Sequence, residues 1–207
     1  TSSGTDIYSA TSAAIGALKG PKHGGANIKV SEMIDQFHEG VADISNEGQV
    51  ADFLRKIIRK EAGDRSGLVY GMGHAIYSVS DPRAEVLKSF AKKLSIEKGM
   101  EEEYDLYKRT ARIASDLIAE RRKIYKGVSP NVDFYSGFVY DMLGIPQELY
   151  TAMFAIARIV GWSAHRVEEL IGADKIIRPA LLWNDSRSQP QTDKLNENKD
   201  FLLDNTA

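Results

Sequence analysis

The sequence contains no cysteine. That absence excludes disulfides, thiolate metal centres and cysteine nucleophiles, and is compatible with a reducing compartment. No stretch approaches the roughly 18 consecutive apolar residues that a membrane-spanning helix requires. An excess of charge of one sign is also missing. Lys and Arg number 27 against 29 Asp and Glu, a formal net charge of −2, which gives no footprint for a polyanion such as nucleic acid. The short basic run "RRK" at 121–123 reads as the wet face of a helix. Histidine is scarce, with four in 207 residues. They form no HExxH and no pair at helical spacing, so no metal site is expected. No serine lies in a G-x-S-x-G elbow. The opening "TSSGTDIYSATSAA" has no methionine, basic cluster or signal-peptide core, and reads as an internal segment of something longer.

What is present is helical periodicity. Ile7, Ala10, Ala14, Ile15 and Leu18 keep one face of a first helix, closed by Gly20 and Pro21. A second helix is expected over about 27–37, with Ile28, Met33, Ile34 and Phe37 inward. A third, over 47–60, carries Val50, Phe53, Leu54, Ile57 and Ile58. Within the glycine-rich stretch that follows, "GLVYG" and "AIYSV" are the only plausible strands. Asp81 and Pro82 then suit the cap and first turn of a helix whose face is Leu87, Phe90, Ala91 and Leu94. Another runs over about 102–124. Residues 146–160 read as a well-buried helix stopped by Gly161, with a short helix over 163–171 and a polar tail from 184. The sum is an all-α chain of some eight helices, with breaks near 38–46 and 125–131.

Two histidines sit among glycines, in "KHGGAN" (22–27) and "YGMGHAIY" (70–77). Glycine permits sharp turns and close approach to the main chain, so "GMGH" could offer successive N–H groups to an anion or the edge of a base. Two ordinary turns are the plainer reading. Asp133, in "SPNVDFYSG", stands where a helix begins and gains from the unpaired N–H groups there. It is either a first-turn residue or a base held near apolar groups, where its proton affinity rises. Arg158 is the sole charge in "LYTAMFAIARIV", and a guanidinium cannot escape burial by losing its proton. Its partner is an internal aspartate or a ligand carboxylate. Arg83 follows "SDP", and Arg178 lies where "KIIRPALLW" turns extended. His38 and His165 read as solvent or packing residues.

Taken in order, "GPKHGGAN", "GMGHAIYSVSDPRA", "NVDFYSG" and "FAIARIVGWSAHRVEEL" closely resemble the carboxyl-terminal half of citrate synthases, over residues 1 to about 183. The resemblance implies a multi-helical fold: 1–25 and 131–183 as parts of a large domain, 26–130 as a small domain, and 184–207 as a tail. It implies His23, His74 and Asp133 as catalytic residues. It implies His74, Arg83, Arg158 and Arg178 as the oxaloacetate set, with Arg178 crossing a homodimer interface, and Gly71, Met72 and Gly73 at the adenine end of coenzyme A. Acetyl-CoA and oxaloacetate would be the substrates, with no metal or other cofactor, in a cytoplasmic protein of bacterial type, the mitochondrial matrix being the alternative. Lys22 departs from the family's apolar residue before the histidine, and Ala75 from a common arginine. A further substrate histidine of the family, in a "DHE"-like motif, has no counterpart among the four histidines here. The motifs leave open propionyl-CoA as the acyl donor, and a non-catalytic helical interaction module.

Overall fold

The computed structural model describes residues 1–77, 79–122, 127–172 and 175–177. Seven α-helices form among them: α1 (Ile7–Leu18), α2 (Ala26–Gly40), α3 (Glu47–Ile58), α4 (Pro82–Lys98), α5 (Glu101–Arg122), α6 (Val132–Met142) and α7 (Tyr150–Gly172). A single 3₁₀ turn (Gln147–Leu149) leads into α7. Side-chain caps set the starts: Asp6 for α1, Asn46 for α3, Asp81 for α4 and Asn131 for α6 each accept first-turn N–H groups. Gly99 ends α4 at φ +67°, and the non-glycine Lys60 takes the same left-handed place after α3. Both ends close with a six-residue backbone bond, from Met100 N to Ser95 O and from Glu61 N to Lys56 O, each 2.8 Å.

Neither expected strand forms among the described residues; Ser78, within "AIYSV", lies outside them. Gly67, Gly71 and Gly73 hold positive φ and break the extended run. One antiparallel bridge, Met72 to Pro130, is all that remains.

The core is built by α2 to α6. The stripe of α3 is buried as its spacing predicts, and Met33, Ile34 and Phe37 of α2 meet it. Tyr107 of α5 stacks on Phe138 (4.7 Å, 16°) and meets Phe134 edge-on at 5.6 Å. Phe134, Phe138, Val139 and Met142 thus belong to the same apolar cluster as α2 to α5.

Two expectations fail at the ends of the chain. On α1 only Leu18 is buried, with Ile7 and Ile15 exposed. The helix expected to be well buried over 146–160 buries only Tyr150 and Phe154, and leaves Ile156 and Val160 in solvent. It also runs straight through Gly161, because a glycine without a left-handed turn or following proline weakens a helix without ending it. Apolar periodicity marks a face but not what covers it. No helix among the described residues is long and apolar enough to cross a membrane. The tail from 184 and the end of the helix expected to reach 124 lie outside the described residues.

The crossing of α2 and α6 depends on a missing side chain. A Cβ on Gly137 would lie 2.8 Å from Ser31 Oγ and 3.0 Å from Asn27 O, whereas one on Gly161 would meet nothing. Gly137→Ala is therefore expected to cost about 1–3 kcal/mol through overpacking, and Gly161→Ala to stabilise by roughly 0.5–1 kcal/mol. Urea unfolding of both variants checks the pair; equal midpoints would refute the close crossing.

Candidate active site

His23 owes its place to the end of α1. The chain turns back on that helix, with Gly24 N donating to Leu18 O (2.8 Å) and Gly25 N to Gly20 O (3.2 Å). Side chains at either glycine would strike backbone, since a Cβ on Gly24 falls 2.8 Å from Leu18 O and one on Gly25 falls 2.7 Å from Lys19 O. The glycines are there for proximity. The turn leaves Lys22 and His23 exposed, and the His23 ring stands edge-on to Phe154 of α7 at 5.5 Å. One turn along α7, the Arg158 guanidinium lies over the same Phe154 ring at 4.5 Å. Arg158 forms no carboxylate ion pair among the described residues, so of its two alternative partners an internal aspartate is not in direct contact with it.

Asp133 is in the first turn of α6, where its backbone N–H is capped by Asn131 Oδ1 at 3.0 Å. Its own Oδ1 is buried without a hydrogen-bond partner. Burial pushes its pKa up to about 6; Asp81 adds to the rise, while Arg83 and Arg158 oppose it. Those two arginines therefore act on one carboxyl group from different elements. Asp133 makes no hydrogen bond to His23 or His74.

His74 follows two positive-φ glycines, and its Nδ1 accepts from Ile76 N (3.1 Å) and Tyr77 N (3.3 Å). That fixes the proton on Nε2. Arg83 Nη2 stands 3.3 Å from this Nε2. Two donors then face each other, and the acceptor such a pair calls for is an oxygen from outside the chain. Arg83 is gripped from behind by the Asp81 carboxylate, through Nε (3.0 Å) and Nη2 (2.8 Å). Tyr77 packs on both groups, 5.0 Å from the His74 ring and 5.4 Å from the guanidinium.

The glycine loop is pinned to the segment before α6. Gly73 N donates to Ser129 O, Asn131 N to Gly71 O, and Asn131 Nδ2 to Gly73 O, all at 2.8 Å. The Gly73 N–H is thus engaged internally, which leaves no successive row of free N–H groups and agrees with the plainer reading of an ordinary turn. Residues 71 and 73 bond to one side, which turns the N–H and C=O of Met72 to the other. On the loop lies a cavity of about 730 Å³ lined by Met72, Gly73, His74 and Tyr77, with Lys60 and Arg121 at its margin.

Sequence reading missed Phe154 and Tyr77, and saw Asp81 only as a cap. Phe154 was marked by standing four residues before Arg158, on the same helical face. Arg178 lies outside the described residues. His38 pairs with Glu103 at 2.8 Å and His165 with Glu168 at 3.3 Å, both away from the site. Among the described residues no three His, Asp or Glu side chains are grouped to hold a metal.

The class this defines is a multi-helical protein whose polar site gathers at the starts of α2, α4 and α6 and at the middle of α7. A family model described as "Citrate synthase, C-terminal domain" matches residues 1–180. Citrate synthase of Synechocystis sp. is 36% identical over 86% of this chain and 41% of its own length. That of Deinococcus radiodurans is 38% identical over 91% and 45%. The solved ternary complex of Thermoplasma acidophilum citrate synthase with carboxymethyl coenzyme A and oxaloacetate superposes with a TM-score of 0.67, at 32% identity, covering 93% of this chain and 48% of that one. The chain belongs to the citrate synthase family. It spans less than half the length of these relatives.

The raised pKa of Asp133 has a consequence for stability. Well below pH 3.8 both folded and unfolded states are protonated and the group costs nothing. As pH rises from 3.8 to about 6, the unfolded state releases its proton first and the folded state loses stability, by up to about 3 kcal/mol. Asp133→Asn is therefore expected to gain on the parent chain between pH 4 and pH 8. Urea midpoints at the two pH values check this; an offset independent of pH would show that the carboxylate is not held in a desolvated place.

Proposed function

We propose that this chain supplies most of a citrate synthase active site, in which acetyl-CoA condenses with oxaloacetate to give citrate and CoA. The observation that carries the reading is the buried, unpartnered Asp133 carboxyl group, lifted to about pKa 6 with Arg83 and Arg158 acting on it. A base of that strength near neutral pH suits removal of a proton from the thioester methyl group. His23 would donate to the thioester oxygen as negative charge grows there. The resulting enol attacks the keto carbon of oxaloacetate. His74, with its proton on Nε2, donates to that carbonyl oxygen as it becomes an alkoxide. Arg83, Arg158 and Arg178 would hold the carboxylates bidentately and so fix which face is attacked. Hydrolysis of the citryl thioester completes the reaction, with no metal or other cofactor called for.

The cavity on the Gly71–Met72–Gly73 loop suits the adenine end of coenzyme A. Its volume is within the range of small-ligand sites, Met72 offers an N–H and C=O edge, and Lys60 and Arg121 supply positive charge. The exposed apolar faces of α1 and α7 fit large-domain pieces whose mates are a further stretch of chain and a second subunit. A homodimer goes with this, and so does weak turnover by these 207 residues alone. A cytoplasmic location is part of the same reading. One added methylene changes binding only modestly in an apolar pocket, so 2-methylcitrate synthesis from propionyl-CoA is the second reading.

The test is thioester consumption with oxaloacetate and either acyl donor, by a longer protein that carries this chain. Acetyl-CoA should be preferred, kcat should fall as pH drops below about 6, and Asp133→Asn should lower kcat by roughly 10²–10⁴-fold. Preference for propionyl-CoA selects the second reading. Failure of both donors, without binding of CoA, leaves the helical interaction module.

A further inference from the structure

Asp81 is 1% exposed, and its carboxylate carries four hydrogen bonds. Oδ1 accepts from Arg83 N and Arg83 Nε, both at 3.0 Å. Oδ2 accepts from Arg83 Nη2 at 2.8 Å and from Val132 N at 3.2 Å. The last of these comes from the first residue of α6, next to Asp133. Capping α4 requires only one acceptor, which Ser, Thr or Asn provides equally well. A full carboxylate, buried, does something a neutral cap cannot: it takes the Nε–Nη2 side of a guanidinium with two anionic oxygens. That leaves the Nη1–Nη2 end of Arg83 directed outward beside His74 Nε2.

We propose that Asp81 is a positioning residue that holds the Arg83 guanidinium and the start of α6 in one frame, so that the arginine meeting oxaloacetate and the carboxylate taking the proton are set relative to each other by a single buried charge. The inference rests on the proposed function for its substrates, and on hydrogen bonds within the chain for its geometry. Asp81 also offsets the charge of Arg83 where Asp133 feels it. The groups acting on Asp133 are Arg83 and Arg158, which favour its ionised form, and Asp81, which opposes it; Tyr140, half-buried nearby, feels the Asp133 charge in turn. Neutralising Asp81 leaves Arg83 uncompensated, so Asp133 stays ionised to lower pH.

The experiment uses the longer protein with Asp81→Asn, Arg83→Lys and the double variant. Asp81→Asn keeps a capping acceptor but not the second anionic oxygen. It should raise the KM for oxaloacetate about tenfold while the KM for acetyl-CoA stays within about twofold, since one lost charge-assisted bond is worth roughly that factor. The acid limb of kcat should move to lower pH, which a purely structural loss would not do. In the Arg83→Lys background, Asp81→Asn should add little, because both changes remove the same paired fork. An unchanged oxaloacetate KM and acid limb in Asp81→Asn, or additive losses in the double variant, would overturn the proposal. Should Asp81→Asn not fold, the unsubstituted 207-residue chain decides by NMR. A slowly exchanging Arg83 Nε–H supports the grip, and a freely exchanging one overturns it. Failure of the unsubstituted protein to condense its substrates counts against the proposed function alone, because the Arg83 signal is read without turnover.

Discussion

The candidate site depends on a place where two glycines let three segments of chain pack closely. At Gly137 the second turn of α6 lies against Asn27 O and Ser31 Oγ of α2. At Gly71 a Cβ would sit 2.8 Å from Phe134 Cα and 2.8 Å from Val30 Cγ2, and Gly71 also holds φ +74°. The start of α2, the start of α6 and the loop leading to His74 are thereby drawn to van der Waals distance. Each carries a group of the site within a few residues: His23 before α2, Asp133 in α6, His74 after the loop. Packed interiors transmit a methyl-sized change instead of absorbing it, so these glycines fix the spacing of groups that lie far apart in the chain.

Charge is arranged around that contact against the usual rule that buried ions are paired. Asp81 and Arg83 satisfy it, and the pairing holds the Asp81 pKa below the ordinary carboxylate value. Asp133 does not. Two guanidiniums act on it, yet burial outweighs them and its proton affinity rises. The outcome follows from distance and partners. Coulombic attraction across a gap falls off, whereas the hydration that a buried oxygen loses is recovered only by a hydrogen bond, and Asp133 Oδ1 has none. Asn27 extends the pattern, being fully buried with both polar atoms of its carboxamide unpartnered. Unpaired polar groups are destabilising; Thr110 and Glu169 carry such atoms elsewhere, and at the candidate site the unpaired oxygen of Asp133 bears on the protonation of its own carboxyl group.

What the sequence made legible follows from which interactions are local. The α3 stripe and the Asp81 cap depend on neighbours three or four residues away, and both were read from spacing; the caps at Asn46 and Asn131 and the glycine after α4 are equally local but went unread. The buried face of α7 was not, because "LYTAMFAIARIV" looks the same whether a partner helix covers it or water does. Gly161 misled for a related reason: only its backbone conformation separates a helix stop from a weak point within a helix. Of the candidate site, the resemblance implied His23, His74, Asp133, Arg83 and Arg158, and the structure puts Arg83 beside His74 with both arginines acting electrostatically on Asp133. It could not supply the contacts that link them. Phe154 joins His23 to Arg158, Tyr77 joins His74 to Arg83, and Asp81 reaches from α4 to α6, each through pairings distant in sequence.

The glycine pair of "KHGGAN" is explained by the same geometry. Had residues 24 and 25 carried side chains, the turn could not fold onto the last carbonyls of α1, and α2 would start further out. Starting where it does, α2 packs along α6, with Asn27 against Gly137 and Val30 close to Phe134 at Gly71, and α4 packs on α6 in turn. Asp81 demonstrates the convergence of the latter two, accepting N–H groups from the first turns of both. Helix starts carry partial positive charge, and Arg83 and Arg158 add whole charges to it. Such a field favours an anionic ligand and, taken alone, would hold a carboxylate ionised and weakly basic. The desolvation of Asp133 counters that field at one atom. Cations and helix ends that favour an anion are thus compatible with one buried carboxyl oxygen whose proton affinity stays raised, which is what the proposed function requires.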